Sequence, residues 1–213
     1  MRYDVGAQLP VGLTVDQLTK AVSPGGKGDM EGVPMPLYDT QQYASTVTTQ
    51  LTFFAATAAA GAGLFQTNMT QAGQLPNPDF HVIQCITLDV IGLDPVVGTG
   101  TNDQDLYYIL NGITAGQSPY ASLKFASKDY GPWPITALHG TGGVTGPVAA
   151  VAAAPENANN SVPDGGVWIG GAIVIPPLQA FSLDIRWPAA VTLTTTPLWL
   201  KVGLWGTYYR QIH

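Results

Sequence analysis

Beyond residue 46, apolar and polar residues alternate with a period of two, the pattern of strands that bury one face. In residues 46–54, Val47, Leu51 and Phe53 share one face while threonines occupy the other. Residues 80–91 form the longest such run, which predicts Phe80, Val82, Ile86, Leu88 and Val90 inward and His81, Thr87 and Asp89 outward. Further strands are predicted over 106–110, 121–126, 167–175, 181–187, 191–195 and 198–209, about eight in all. Turn-rich stretches connect them: 92–100, the Asn111-Gly112 pair and 128–134. Two alanine-rich stretches, 55–63 and 147–158, read either as short helices or as loops packed on a neighbour. With no internal repeat, no heptads and no alternating helices, the pattern predicts an all-β, two-sheet antiparallel sandwich. The single jelly roll is the commonest eight-strand solution.

The first 43 residues read differently. Thr14-Val15-Asp16-Gln17 fits a capping box, so a short helix is expected over 15–22 until Ser23-Pro24-Gly25-Gly26 stops it. The following KGDMEGVPMPLYD has no period. Residues 1–43 are therefore expected to form an extended N-terminal arm with one short helix, and 44–213 the sandwich domain. A flexible tail is the bland alternative. The apolar Leu9, Val11, Leu13, Leu18, Val33, Met35 and Leu37 favour an arm that docks, here on a neighbouring subunit.

Composition narrows the functional classes. The chain has 213 residues, of which only 10% are charged, against about 25% in an ordinary soluble domain. Eight Lys and Arg against 14 Asp and Glu give a net charge of −6, and the basic residues are scattered, so nucleic-acid binding is not expected. With 25 Gly and 17 Pro, long helices are disfavoured. The lone Cys85 has no internal partner for a disulfide. No run reaches the length of a membrane span, and the opening MRYDVGAQLPVG lacks a signal peptide's apolar core, so synthesis and folding in a cytoplasm are expected. An internal membrane is compatible with the composition but not indicated by it.

A search for chemistry leaves little. Gly116-Gln117-Ser118-Pro119-Tyr120 opens like a nucleophile elbow but has Tyr in place of the final Gly. His81 and Cys85 lie about 13 Å apart along an extended strand at ~3.3 Å per residue, too far for a thiol and base pair. His139 and His213 have no ligand-spaced neighbours. Asn102-Asp103-Gln104-Asp105 lacks the Gly and closing Glu of a calcium loop. Gly140-Thr141-Gly142-Gly143-Val144-Thr145 misses the last glycine of a phosphate cradle and opens no helix. Asn68-Met69-Thr70 and Asn159-Asn160-Ser161 are formal glycosylation sequons without a secretory signal. No enzyme activity, cofactor or metal is expected.

The C-terminal third is the most informative. Residues 175–188, IPPLQAFSLDIRWP, form a proline-bounded strand, and 198–212, LWLKVGLWGTYYRQI, a final aromatic one. This pairing resembles bacteriophage virion proteins, in particular jelly-roll capsid and capsid-associated proteins. Leu37-Tyr38-Asp39-Thr40-Gln41 with Leu51-Thr52-Phe53-Phe54 resembles the opening of the same kind of protein. The resemblance implies a structural role in a virion, with copies of the chain and other virion proteins as partners. A surface poor in charge is weakly repelled by its own copies, which suits dense assembly. In the final strand Leu198, Leu200, Val202 and Leu204 share the inward parity. Trp199, Lys201, Trp205 and Tyr209 share the outward one and, with the arm residues Leu9, Leu13, Leu18, Val33 and Leu37, make the candidate assembly surface. The alternative is a carbohydrate- or receptor-binding sandwich, a fibre head or lectin-like module, using Trp and Tyr to stack on sugars.

Overall fold

The structure is a computed structural model that describes residues 30–44, 47–57, 66–91, 109–111, 118–138, 166–193 and 198–211. Among the described residues, nine strands form two antiparallel sheets: β1 (Met30–Pro34), β2 (Leu37–Tyr43), β3 (Gln50–Phe53), β4 (Phe80–Ile91), β5 (Tyr120–Phe125), β6 (Lys128–Pro134), β7 (Val167–Ile175), β8 (Phe181–Arg186) and β9 (Leu198–Gln211). The five-stranded sheet runs β1-β9-β4-β7, with β2 following β1 along the same edge of β9, and the four-stranded sheet runs β3-β8-β5-β6. The pairs are nested: β2 with β9, β3 with β8, β4 with β7 and β5 with β6. The chain behaves as one long hairpin whose two arms pass together from sheet to sheet, and its closing turn is the short β5–β6 connection.

The expected all-β, two-sheet antiparallel sandwich is present. Between the sheets lies one main core that includes Leu37, Phe53, Ile86, Leu88, Leu123, Leu183, Ile185, Leu200, Val202 and Leu204. Strand β9 is long enough, at 14 residues, to pair with β1 and β2 on one side and β4 on the other. Its parity is as expected: Leu198, Leu200, Val202 and Leu204 are at most 1% exposed.

Several expectations are corrected. Residues 30–43, assigned to an arm, are β1 and β2 and belong to the five-stranded sheet. Their period was hidden because β2 buries an aspartate, Asp39, on the core side. The Asp39 carboxylate accepts hydrogen bonds from the backbone N–H of Thr40 (3.0 Å) and Phe54 (2.6 Å) and from Gln41 Nε2 (2.9 Å). It thereby ties β2 to the residue that follows β3, where Phe54 adopts a positive φ of 67°. Burial outweighs these bonds and raises the Asp39 pKa above the usual carboxylate range.

The strand expected over 46–54 shortens to Gln50–Phe53, and Val47 is 74% exposed rather than inward. The turn before β3 is held by the Tyr43 hydroxyl, which donates to the Thr48 carbonyl and accepts from the Val191 N–H. Residues 191–193 are accordingly not a strand, though Val191 and Leu193 are buried. Ile109 and Leu110, expected in a strand, are helical. Residues 128–134, read as a connection, are the edge strand β6, where Pro132 and Pro134 are tolerated because one side of the strand needs no ladder. A one-turn helix, Ile135–Leu138, follows it.

Strand β4 departs most from its sequence pattern. A bulge between Ile83 and Cys85 inserts one residue against β9 and reverses the parity of everything before it. Ile83, Ile86 and Leu88 enter the main core, whereas Phe80 and Val82 turn to the outer face of the sheet and join Tyr209 in a second, smaller cluster. Gly206, opposite Ile83, makes the bulge possible, because a Cβ there would collide with the Val82 carbonyl oxygen. Among the described residues no helix is long and apolar enough to cross a membrane. The expected helix at 15–22 and the alanine-rich stretch 147–158 lie outside the described residues.

Candidate interaction surface

The outer face of the five-stranded sheet carries the exposed aromatic side chains nearest to the expected assembly surface. Trp205 is 49% exposed and projects from β9. Its indole Nε1 donates to Thr87 Oγ1 on β4 at 3.0 Å. The ring lies across Gly203, where a Cβ would come within 3.0 Å of the indole nitrogen and 2.8 Å of the Thr87 oxygen. Glycine at 203 therefore provides the flat floor that lets the indole lie down and be locked by one hydrogen bond.

Trp168 extends this row. Cys85 faces Trp168 on β7 and Trp205 on β9, so the three residues cross the sheet in one line. Trp168 is 67% exposed. Two strand spacings of ~4.8 Å put the two tryptophans about 10 Å apart. Cys85 between them is 3% exposed, and burial pushes its thiol up to about 11. At neutral pH it is a protonated spacer with no nucleophilic character.

Further along the same face, Lys201 Nζ lies 4.2 Å from the centre of the Tyr38 ring and Asp89 stands opposite Lys201 in the ladder. Trp199 is half-buried. Tyr209 has the expected outward parity but is only 5% exposed, stacked on Phe80 with ring centres 4.5 Å apart and planes 10° from parallel. It is a packing residue of the second cluster and not part of an open surface. Leu37, expected in the arm, is 2% exposed in the main core, because it faces Leu204 across the β2–β9 ladder. Val33 is half-buried on β1. Leu9, Leu13 and Leu18 lie outside the described residues.

His81 is also corrected. Expected outward, it is fully buried, since the bulge turns it to the core side of β4. Its Nε2 lies 3.0 Å from the Leu204 carbonyl oxygen. A carbonyl only accepts, so Nε2 carries the proton and Nδ1 is the bare nitrogen, which has no partner. Burial lowers its pKa from 6.5 to about 4. His81 and Cys85 face opposite sides of the sheet and make no pair.

The other outer face, on the four-stranded sheet, is polar. Asp184 is buried there, with its carboxylate 2.7 Å from Lys124 Nζ and 3.5 Å from an Arg186 guanidinium nitrogen, and it accepts from Thr52 Oγ1 at 2.9 Å. Of the candidate chemical motifs, Asn68 is fully occupied by structure: its Oδ1 accepts from the Tyr38 N–H and its Nδ2 donates to the Pro36 carbonyl. His139, His213 and the segments 102–105, 140–145 and 159–161 lie outside the described residues. Among the described residues no cluster of three His, Cys, Asp or Glu side chains could hold a metal ion. Trp168 was missed as a surface residue because VWIGGAIVI is apolar throughout and shows no outward face.

Comparison with protein-family models, curated proteins and solved structures gives no match, so the functional reading rests on the fold and this surface.

Proposed function

We propose that the chain is a non-enzymatic structural protein of a phage virion, a jelly-roll subunit that self-associates to form or decorate a capsid shell. The observation that carries this reading is the row of two exposed tryptophans on an uncharged stretch of one sheet face, Trp205 pinned by Thr87 and Trp168 standing 67% exposed. Pre-ordered aromatics are the side chains most enriched at the centres of protein interfaces. The nested pairing of β2 through β9 supports the jelly-roll winding, a double Greek key found in capsid and lectin domains. A chain with 10% charged residues is easily packed against copies of itself. The partners are other copies and other virion proteins, with the host cytoplasm as the place of synthesis and the virion as the destination.

A flat floor bearing two indoles about 10 Å apart also fits the faces of an oligosaccharide. That arrangement favours a carbohydrate- or receptor-binding module as the second reading. Sedimentation velocity and electron microscopy of the full chain, alongside a glycan array, separate the two. Regular assemblies of many copies support the capsid role. A chain that stays monomeric at every concentration and binds glycans overturns it in favour of the second reading.

A further inference from the structure

Strand β4 has two self-consistent ways to face the sheet. Without the bulge, alternation along Phe80–Ile91 puts Phe80, Val82, Ile86 and Leu88 on the core side and His81 and Ile83 on the outer face. The bulge reverses the first half, so that His81 and Ile83 turn to the core side while Phe80 and Val82 pack with Tyr209 outside. Either arrangement turns two bulky side chains inward, and the difference between them is polar. In the bulged register Gln84 is the extra residue and is half-buried. A bulge-free strand sets Gln84 opposite Gly206 on the core side, where its amide loses water.

The bulged register carries its own polar strain at His81. One ring nitrogen is taken up by the Leu204 carbonyl at 3.0 Å, and the other is buried without a partner. Across β9 the ring faces Tyr208, whose hydroxyl donates to Asp79 at 2.7 Å, and Arg210 further along pairs with Glu31. Lys201 and Tyr209 of the same strand lie on the outer face. Across β7 the ring faces Ile175. Neither β7 nor the helix Ile135–Leu138, which also packs on β4, has a titratable side chain. The nearby carboxylates are therefore engaged elsewhere, and a proton added to the bare nitrogen meets no acceptor.

From this geometry we infer that the first half of β4 is an acid-sensitive two-register element, in which protonation of His81 drives residues 80–84 from the bulged register to a bulge-free one that carries the imidazole to the outer face. The slip moves each residue by one place along β9, so Ile83 comes opposite Thr207 and His81 opposite Tyr209. At neutral pH the buried Gln84 amide disfavours the slipped register. In acid a buried imidazolium disfavours the bulged one, and the exchange trades that charge for a neutral amide. Because the folded imidazole binds its proton only near pH 4, the slipped share rises about 20-fold between pH 7 and pH 5 while remaining the minor state. Trp205 faces Cys85, the first residue beyond the bulge, so the slip replaces the side chains beside it and makes the outer face respond to acid whatever that face binds.

The test is disulfide trapping in the full chain with Cys85→Ser. The pair V82C/T207C reads the bulged register, in which these residues face each other. The pair I83C/T207C reads the slipped one, since in the bulged strand its two side chains point to opposite sides of the sheet and cannot be bridged. Both are oxidised with dithiodipyridine at pH 7 and pH 5, and linked peptides are measured by mass spectrometry. The closure rate of I83C/T207C relative to V82C/T207C should rise about 20-fold on acidification, should be indifferent to urea below the unfolding transition, and should lose its pH dependence with His81→Gln. If I83C/T207C does not fold by circular dichroism, F80C/R210C reads the same slip, because the bulged strand places Phe80 opposite Tyr209. A folded pair that never closes, a ratio that ignores pH, or a rise that persists with His81→Gln overturns the inference. A closure rate that climbs steeply with urea also overturns it, by showing that the pair meets through global unfolding.

Discussion

Acidification from pH 7 to pH 5 should destabilise the folded chain by about 2 kcal/mol through His81 alone. The imidazole is wholly buried, its protonated Nε2 faces the Leu204 carbonyl, and its bare Nδ1 has no partner. Its neighbour Tyr208, with ring centres 6.2 Å apart, directs its hydroxyl at Asp79 and not at the imidazole. A second proton would place a charge where nothing bonds it, which is why the folded pKa falls from 6.5 to about 4. The unfolded chain therefore binds more protons than the folded one at any pH between these values, and stability rises with pH. Relative to neutral pH the loss begins below 6.5, reaches about 2 kcal/mol at pH 5 and levels at about 3 kcal/mol below pH 4. Asp39 works in the opposite sense, because its raised pKa favours the folded state at low pH. Urea unfolding of the native chain and of His81→Gln at pH 7, 6 and 5 separates the two, since Asp39 is common to both. Gln can still donate to the Leu204 carbonyl but cannot titrate. The native chain should lose about 2 kcal/mol more than the variant between pH 7 and 5. Equal losses would show that His81 titrates normally and is not buried on the core side of the bulge.

Other substitutions separate core from surface. Leu200→Ala should destabilise the chain by about 2 to 5 kcal/mol, as expected for a leucine with no exposure, while Trp205→Ala should leave the denaturant midpoint nearly unchanged and reduce self-association in sedimentation. Gly206→Ala should cost about 3 kcal/mol in thermal or urea unfolding, at the upper end of the overpacking range, because the new methyl group meets the Val82 carbonyl across the bulge. Gly203→Ala should shift the tryptophan fluorescence of the folded chain by lifting the Trp205 indole from Thr87, and an unchanged spectrum would refute the locked-indole geometry.

The final strand was legible residue by residue. Leu198 to Leu204 alternate because the strand is buried on one side, and a period of two is a local property that the sequence writes directly. The same holds for the all-β class and for Trp205 as an outward residue. Strand β4 was legible as a strand but not in its facing, since one inserted residue opposite Gly206 exchanged the roles of Phe80, Val82 and His81. Nothing within Phe80–Ile91 announces that insertion, because the permissive glycine lies more than a hundred residues away on another strand.

Sequence alone determined that the chain folds as strands, where most of them run, and which face of β9 meets the core. Only the tertiary structure decided that residues 30–43 are strands and not an arm, because Asp39 is acceptable in a core only when the Phe54 and Thr40 N–H groups reach it. Likewise, uniform apolarity in β7 could not distinguish a central strand from an edge. Among the described residues the sheet order ends at β7, and Trp168 is a surface residue because its face of the sheet is left uncovered, which the strand's own composition does not say.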